Sequence, residues 1–218
     1  MLLEGKELCL IYDMDKEQEV YALRDVDITL DKGELLGVMG PSGSGKSSLL
    51  YVLSGLKKPM SGTVYYKDTD IQDLSLLEQA KLRKNEFGFI FQKHFLIDYL
   101  TVFDNILVGT NRDEISRNRA FELMDGLGIR HLAKRKPVQL SGGQRQRIAI
   151  ARALANRPSV IFADEPTASL DHKNAMEVMN ILEEFRGETA IMVVTHDRSI
   201  LENANRVIEM WDGRIKVS

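Results

Sequence analysis

The sequence is poor in cysteine, proline and tryptophan: its 218 residues include one Cys, five Pro and one Trp. A single thiol, Cys9, cannot close an intrachain disulfide, which suits a reducing compartment. Set in an apolar run over residues 8–11, it reads as a small buried hydrophobe. There is no Pro/Gly/Ser-rich tract, hence no sign of a linker or low-complexity segment. No apolar run approaches the ~18 residues that cross a bilayer. The start, MLLEGKELCLIY, lacks the basic and apolar regions of a signal peptide. A cytosolic protein is therefore expected, with any membrane role coming through a partner. Excess positive charge is also missing: 29 Lys+Arg stand against 32 Asp+Glu, a net −3 with His neutral. Such a balance disfavours a nucleic-acid binder held by a basic surface, so no nucleic-acid partner is expected.

What is present is ordinary for a globular chain, 44% hydrophobic and 28% charged. The hydrophobic pattern predicts strands over about 8–12, 20–23 and 26–30, the last in strict alternation. A turn at Asp31-Lys32-Gly33-Glu34 leads to a continuous apolar run over 35–39, the pattern of a strand buried on both faces. A helix is predicted to open after residue 45, with Leu49, Leu50, Leu53 and Leu56 on one face. Strands follow at 64–66 and 87–91. The stretches 73–85 and 102–155 are helix-dominated and charge-rich. Buried strands at 160–163 and 191–195 flank a helix over about 173–186, and a hairpin over 206–217 turns at Asp212-Gly213. Strands alternating with helices predict an α/β core with a mostly parallel sheet.

Gly40-Pro41-Ser42-Gly43-Ser44-Gly45-Lys46-Ser47 fits G-x-x-x-x-G-K-[ST] between a predicted buried strand and a predicted helix. The glycines let backbone N–H groups turn inward on phosphate oxygens, and the helix start adds its positive end. Lys46 brings a full charge to the β- and γ-phosphates, and the Ser47 hydroxyl is a hard oxygen ligand suited to Mg²⁺. The strand over 160–163 ends in Asp164-Glu165. Asp164 is placed to hold the metal's water shell from the carboxyl end of its strand. Glu165 points elsewhere and is placed to polarise a water for in-line attack.

Leu140-Ser141-Gly142-Gly143-Gln144-Arg145-Gln146-Arg147 reads as a loop entering an alanine-rich helix that Asn156-Arg157-Pro158 stops. Ser141 and the N–H groups of Gly142 and Gly143 then form a second anion site at a helix start. Two such ends with one carboxylate pair suggest that each nucleotide is shared between two copies of the chain.

These motifs, in this order, resemble the ABC-type ATPases, with residues 140–144 matching their signature loop. The resemblance spans about residues 3–217. It implies a P-loop NTPase core with an N-terminal antiparallel β subdomain and an inserted α-helical subdomain at about 93–157, all within one domain, 1–218. It implies that Tyr12 stacks on adenine and that Gln92 touches Mg²⁺ and the attacking water. Ser169-Leu170-Asp171 resembles the loop that crosses to the other subunit, and His196 the histidine that contacts the γ-phosphate. Alone, a Gln or a His at a strand end is a surface or structural residue; order and context give these their weight. His94, His131 and His172 match no catalytic position and are read as structural. The implied nucleotide contacts are Tyr12, Gly40, Ser42, Gly43, Ser44, Gly45, Lys46, Ser47, Ser48, Ser141, Gly142, Gly143, Gln144 and Asp171. Glu165, His196 and Gln92 are the implied catalytic set, with Ser47, Gln92 and Asp164 on the metal.

The family's mechanism implies ATP and Mg²⁺ as cofactors and two copies head to tail around two ATP molecules. A membrane permease is the further partner, which places the chain peripherally on the inner face of the cell membrane. Residues 94–105 carry many large apolar side chains for a loop, and read either as a groove for a permease helix or as a locally buried helical insert. Arg130, His131, Lys134, Arg135 and Lys136 form a basic cluster, read first as a solvated face and second as a neighbour of anionic lipid. Residues 21–26, 40–47 and 87–92 resemble the macrolide-export, lipoprotein-release and cell-division branch, whose permeases have four spans. Two departures stand out: a shorter segment over 106–117, which would alter the permease contact, and Ser48 where Thr is common. The rival class is a soluble ABC-type ATPase of DNA repair or the ribosome. The stretch from Lys46 to Ser141 leaves no room for the long coiled coil of the first, and one ATPase half argues against the second.

Overall fold

The computed structural model describes residues 1–14, 18–168, 170–187 and 189–216. Ser169 and Val217, which the sequence reading placed in a crossing loop and in the last hairpin, lie outside the described residues.

Two strands, β1 (Leu3–Met14) and β2 (Gln18–Leu30), open the chain as an antiparallel pair. With β4 (Ser61–Tyr66) and the short β5 (Thr69–Asp70) they form a four-stranded antiparallel sheet, order β2-β1-β4-β5. The second sheet is built on β3 (Leu35–Met39), β6 (Phe87–Phe91), β7 (Val160–Asp164) and β8 (Ala190–Val194), joined at one edge by β9 (Arg206–Trp211) and β10 (Arg214–Lys216). Its order is β10-β9-β3-β8-β7-β6, parallel throughout except for β9 with β10.

The continuous apolar runs occupy the centre of this sheet because both its faces are covered. Alternate side chains divide between two cores. Ile191 and Val193 of β8 and Ile161 and Ala163 of β7 face one cluster with α4 (Glu114–Gly126), α5 (Gly142–Leu154) and α6 (His172–Glu184). Ala190, Met192, Val194, Val160 and Phe162 face the other, with α1 (Lys46–Leu53) and the antiparallel sheet. Phe162 meets Phe87 edge to face at 5.3 Å, and Phe87 meets Tyr66 likewise at 5.2 Å. Each fully buried large side chain contributes about 1.5–3 kcal/mol relative to exposure, so strand direction and the position of each strand's carboxyl end are strongly specified.

One expectation needs correction. Leu56 does not share the buried face of α1: the helix ends at Leu53, Ser54 caps it, and Leu56 is exposed. The buried member is Val52 instead. Helix α2 (Leu76–Glu86) leads into β6, and between β6 and β7 the chain carries α3 (Val102–Ile106), α4 and α5. Residues 94–100 are not a helix. Buried Asn105 organises them: its Oδ1 accepts from the Ile97 N–H at 2.7 Å, and its Nδ2 donates to the Ile97 and Thr101 carbonyls at 3.1 and 3.0 Å. This leaves Phe95 and Tyr99 exposed. In the basic cluster, Arg130 pairs with Asp125 at 3.2 Å and lies over the Phe121 ring.

Candidate nucleotide site

The loop between β3 and α1 turns back on itself at the carboxyl end of the parallel sheet. Gly40 adopts φ 148°, and a Cβ there would stand 2.2 Å from the Met210 carbonyl oxygen. No side chain fits so close an approach, which is the physical reason for glycine at this position. The loop is clamped from outside: Gly213 N–H donates to the Ser44 carbonyl at 3.1 Å, and Arg24 N–H to the Gly213 carbonyl at 2.8 Å. The β9–β10 turn and β2 therefore hold the loop from two sides, a support that sequence reading missed because the partners are backbone atoms far away in the chain.

Lys46, at the first turn of α1, is 8% exposed. Its ammonium donates to the Gly40 and Pro41 carbonyls at 2.8 and 2.9 Å, so the loop itself holds the charge over its own concavity. Ser47 Oγ donates to Asp164 Oδ1 at 2.8 Å. Asp164 Oδ2 accepts a second bond, at 2.9 Å, from the Tyr51 hydroxyl one turn further along α1. Burial first, then the hydrogen bond to Asp164, pushes the Tyr51 pKa up to about 12, so this hydroxyl stays a donor at every ordinary pH. Tyr51 was also missed: one tyrosine on a predicted helix carries no signal until the fold brings Asp164 to it.

Glu165 follows Asp164 in the left-handed region, φ 50°. That backbone turn directs its carboxylate away from that of Asp164. Glu165 Oε1 lies 3.0 Å from His196 Nδ1. Glu165 Oε2 is buried and has no hydrogen-bond partner among the described residues. A buried carboxylate oxygen left unpaired is costly, and it is an acceptor ready for a proton brought by a ligand or a water. Tyr12 stands at the other end of the cleft, with Lys57 Nζ 3.7 Å from its ring centroid and its hydroxyl 3.4 Å from Ser48 Oγ.

Together Tyr12, Ser42, Gly43, Gly45, Lys46, Ser47, Ser48, Gln92, Glu165 and His196 line one open cleft of about 560 Å³. Gly40 and Ser44 shape the loop from behind; Ser44 is buried. The structure does not bring Ser141, Gly142, Gly143, Gln144 or Asp171 to this cleft. Ser141 caps α5: its Oγ accepts from Gln144 N–H at 3.3 Å, and Gln144 Oε1 accepts from Ser141 N–H at 3.0 Å. Asp171 caps α6, accepting from Asn174 N–H at 3.0 Å, and this bond holds its carboxyl below the usual range. Ser141 and Asp171 are exposed.

The donor set fits a hard divalent cation. Ser47 Oγ and the Asp164 carboxylate are oxygens already within 2.8 Å of one another, and oxygen-only donors are what Mg²⁺ takes beside a phosphate.

The parallel sheet, the glycine-cradled loop at the start of α1 and the acidic strand end define the chain as a nucleotide-binding protein of the P-loop class. The model of the ABC transporter family matches residues 23–168. The chain belongs to that family. It is 45% identical over 203 residues to the macrolide export ATP-binding/permease protein MacB of Rhodopseudomonas palustris (strain BisB18), covering 90% of this chain. It is 43% identical over 204 residues, 91% of this chain, to the MacB protein of Bartonella henselae. The match spans 31% of the length of each of these relatives. A dimeric ATP-binding cassette solved in a post-hydrolysis state with ADP and phosphate superposes with a TM-score of 0.88 at 39% identity, covering 99% of this chain and 97% of that one. Among the described residues no helix is long and apolar enough to cross a membrane.

Proposed function

We propose that the chain works as the motor of a transporter: two copies close around two ATP molecules and drive a membrane permease. The observation that carries this reading is the division of the polar machinery. One cleft gathers Lys46, Ser47, Gln92, Glu165 and His196, while the capped start of α5 at Ser141 stays exposed and apart from it. A second copy arranged about a two-fold axis would bring that helix start, with Gly142, Gly143 and Gln144, onto the triphosphate. Asp171, at the start of α6, would cross toward the same junction.

In this arrangement Tyr12 offers an aromatic surface to adenine. The loop N–H groups and Lys46 hold the β- and γ-phosphates. Glu165 takes the proton of the attacking water on its unpaired Oε2, and His196, held by Oε1, faces the γ-phosphate. Ser47, Asp164 and Gln92 would hold Mg²⁺, which supplies charge neutralisation on the phosphate oxygens. Triphosphate charge repels a second anionic surface but attracts a helix start, so ATP favours closure, and loss of the γ-phosphate permits opening. Exposed Phe95 and Tyr99, in the segment that follows Gln92, are the contact for a permease of the four-span type. The chain then sits on the inner face of the cell membrane and serves export or mechanical transmission, as the likeness to macrolide-export proteins supports.

The test is the oligomeric state of Glu165→Gln by sedimentation. With ATP and Mg²⁺ it is expected to become a stable dimer, and with ADP to return to monomers. A variant that stays monomeric with MgATP, even with its permease supplied, overturns the shared-nucleotide reading.

A further inference from the structure

Gln146 is buried, 1% exposed, and the function proposed above gives it no task. It lies in α5 just beyond the signature loop, and its Nε2 donates to the Pro166 carbonyl at 2.5 Å. Pro166 directly follows Glu165, whose left-handed backbone is uncommon for a residue with a side chain. Such a conformation persists only where its surroundings over-determine it. Glu165 N–H donates to the Val194 carbonyl at 2.9 Å, which ties the turn to β8, and Ala168 N–H closes it on the Glu165 carbonyl at 3.3 Å. The Gln146 amide ties it to α5. The same helix also grips the segment after Gln92: Arg152 donates to the His94 and Phe95 carbonyls at 2.7 Å each. Gln146 also neighbours the His94 ring, which burial above all, then Arg145 and Arg152, hold below the usual histidine range, with Gln146 opposing the shift.

We propose that Gln146 is a positioning residue for Glu165: it fixes the Glu165–Pro166 turn to α5, so that the hydrolytic carboxylate follows the helix that also holds the segment after Gln92. The assignment rests on the role given to Glu165 above. Without the amide, the Pro166 carbonyl loses its partner, the turn relaxes from the left-handed region, and the carboxylate moves off the line of attack. A misplacement of this kind slows the chemical step by about tenfold to a hundredfold and leaves nucleotide binding intact, because Lys46 and the loop are not touched.

Gln146→Met keeps the length and volume and removes the donor. Gln146→Leu is the second variant should the first fail to fold, since it too offers no donor to Pro166. Steady-state ATP turnover of the purified chain is expected to show kcat lowered at least about tenfold with KM for MgATP within about twofold of wild type. In a Glu165→Gln background the same substitution is expected to have no further effect on residual turnover, because residues acting as a unit are not additive. A purely structural role would lower the two backgrounds equally. Wild-type kcat in either Gln146 variant, or equal losses with and without the Glu165 carboxylate, overturns the assignment alone. A wild-type chain with no ATP turnover would overturn the functional reading and this assignment together.

Discussion

The hydroxyl of Tyr51 offers the sharpest probe of how the fold prepares the metal side of the cleft. Tyr51→Phe removes one oxygen and keeps the ring. It leaves Asp164 Oδ2 without its 2.9 Å donor while Ser47 still holds Oδ1. A hydrogen bond to a charged acceptor contributes about 1.5–3 kcal/mol. Tyr51 is half-buried and Asp164 8% exposed, so water replaces part of the lost bond and the low end, about 1.5 kcal/mol, is expected. For a chain of this size that lowers Tm by about 3–6 °C. The pH dependence follows from the raised pKa. The stabilisation is complete below the unfolded tyrosine value near 10 and is lost as pH rises through the folded value of about 12. Thermal unfolding from pH 7 to 12 should therefore show the wild type and Tyr51→Phe converging at the alkaline end. Titration calorimetry should show the Mg²⁺-dependent part of ATP affinity weakened by about threefold to tenfold, with metal-free ATP binding unchanged. A variant with the wild-type Tm at pH 7, or one whose difference persists at pH 12, would refute the reasoning.

Lys46→Ala removes the ammonium that Gly40 and Pro41 hold over the loop. At about 4 Å and an effective dielectric near 20, one phosphate charge interacts with it by about 4 kcal/mol, so MgATP affinity should fall about a thousandfold in equilibrium binding. Two alanine substitutions in the loop separate packing from function. Gly40→Ala drives a Cβ into the Met210 carbonyl at 2.2 Å and should cost at least about 3 kcal/mol in urea unfolding. Gly43→Ala meets nothing within 4 Å and bears only the strain of φ 80°, about 1–2 kcal/mol, with its main effect on nucleotide affinity. The reverse order of stabilities would contradict the described loop.

The local chemistry was legible in the chain because it is written in consecutive residues. The glycine-lysine-serine loop, the apolar strand ending in Asp164-Glu165 and the capped start of α5 each depend on backbone geometry and on neighbours within about one turn. The alternation of buried runs with helices announced the mostly parallel sheet, since only a strand covered on both faces stays apolar throughout. Leu56 was misplaced because a leucine repeat does not reveal where a helix stops.

What only the tertiary structure decided are contacts between atoms far apart in sequence. Tyr51 reaches Asp164, Gln146 reaches Pro166, and Met210 presses on Gly40, in each case because the parallel strands end at one level and bring their loops together. Hydrophobic periodicity sets which face of an element is buried. It carries no information on which polar atom will stand opposite another once two elements pack, because that depends on strand order and register.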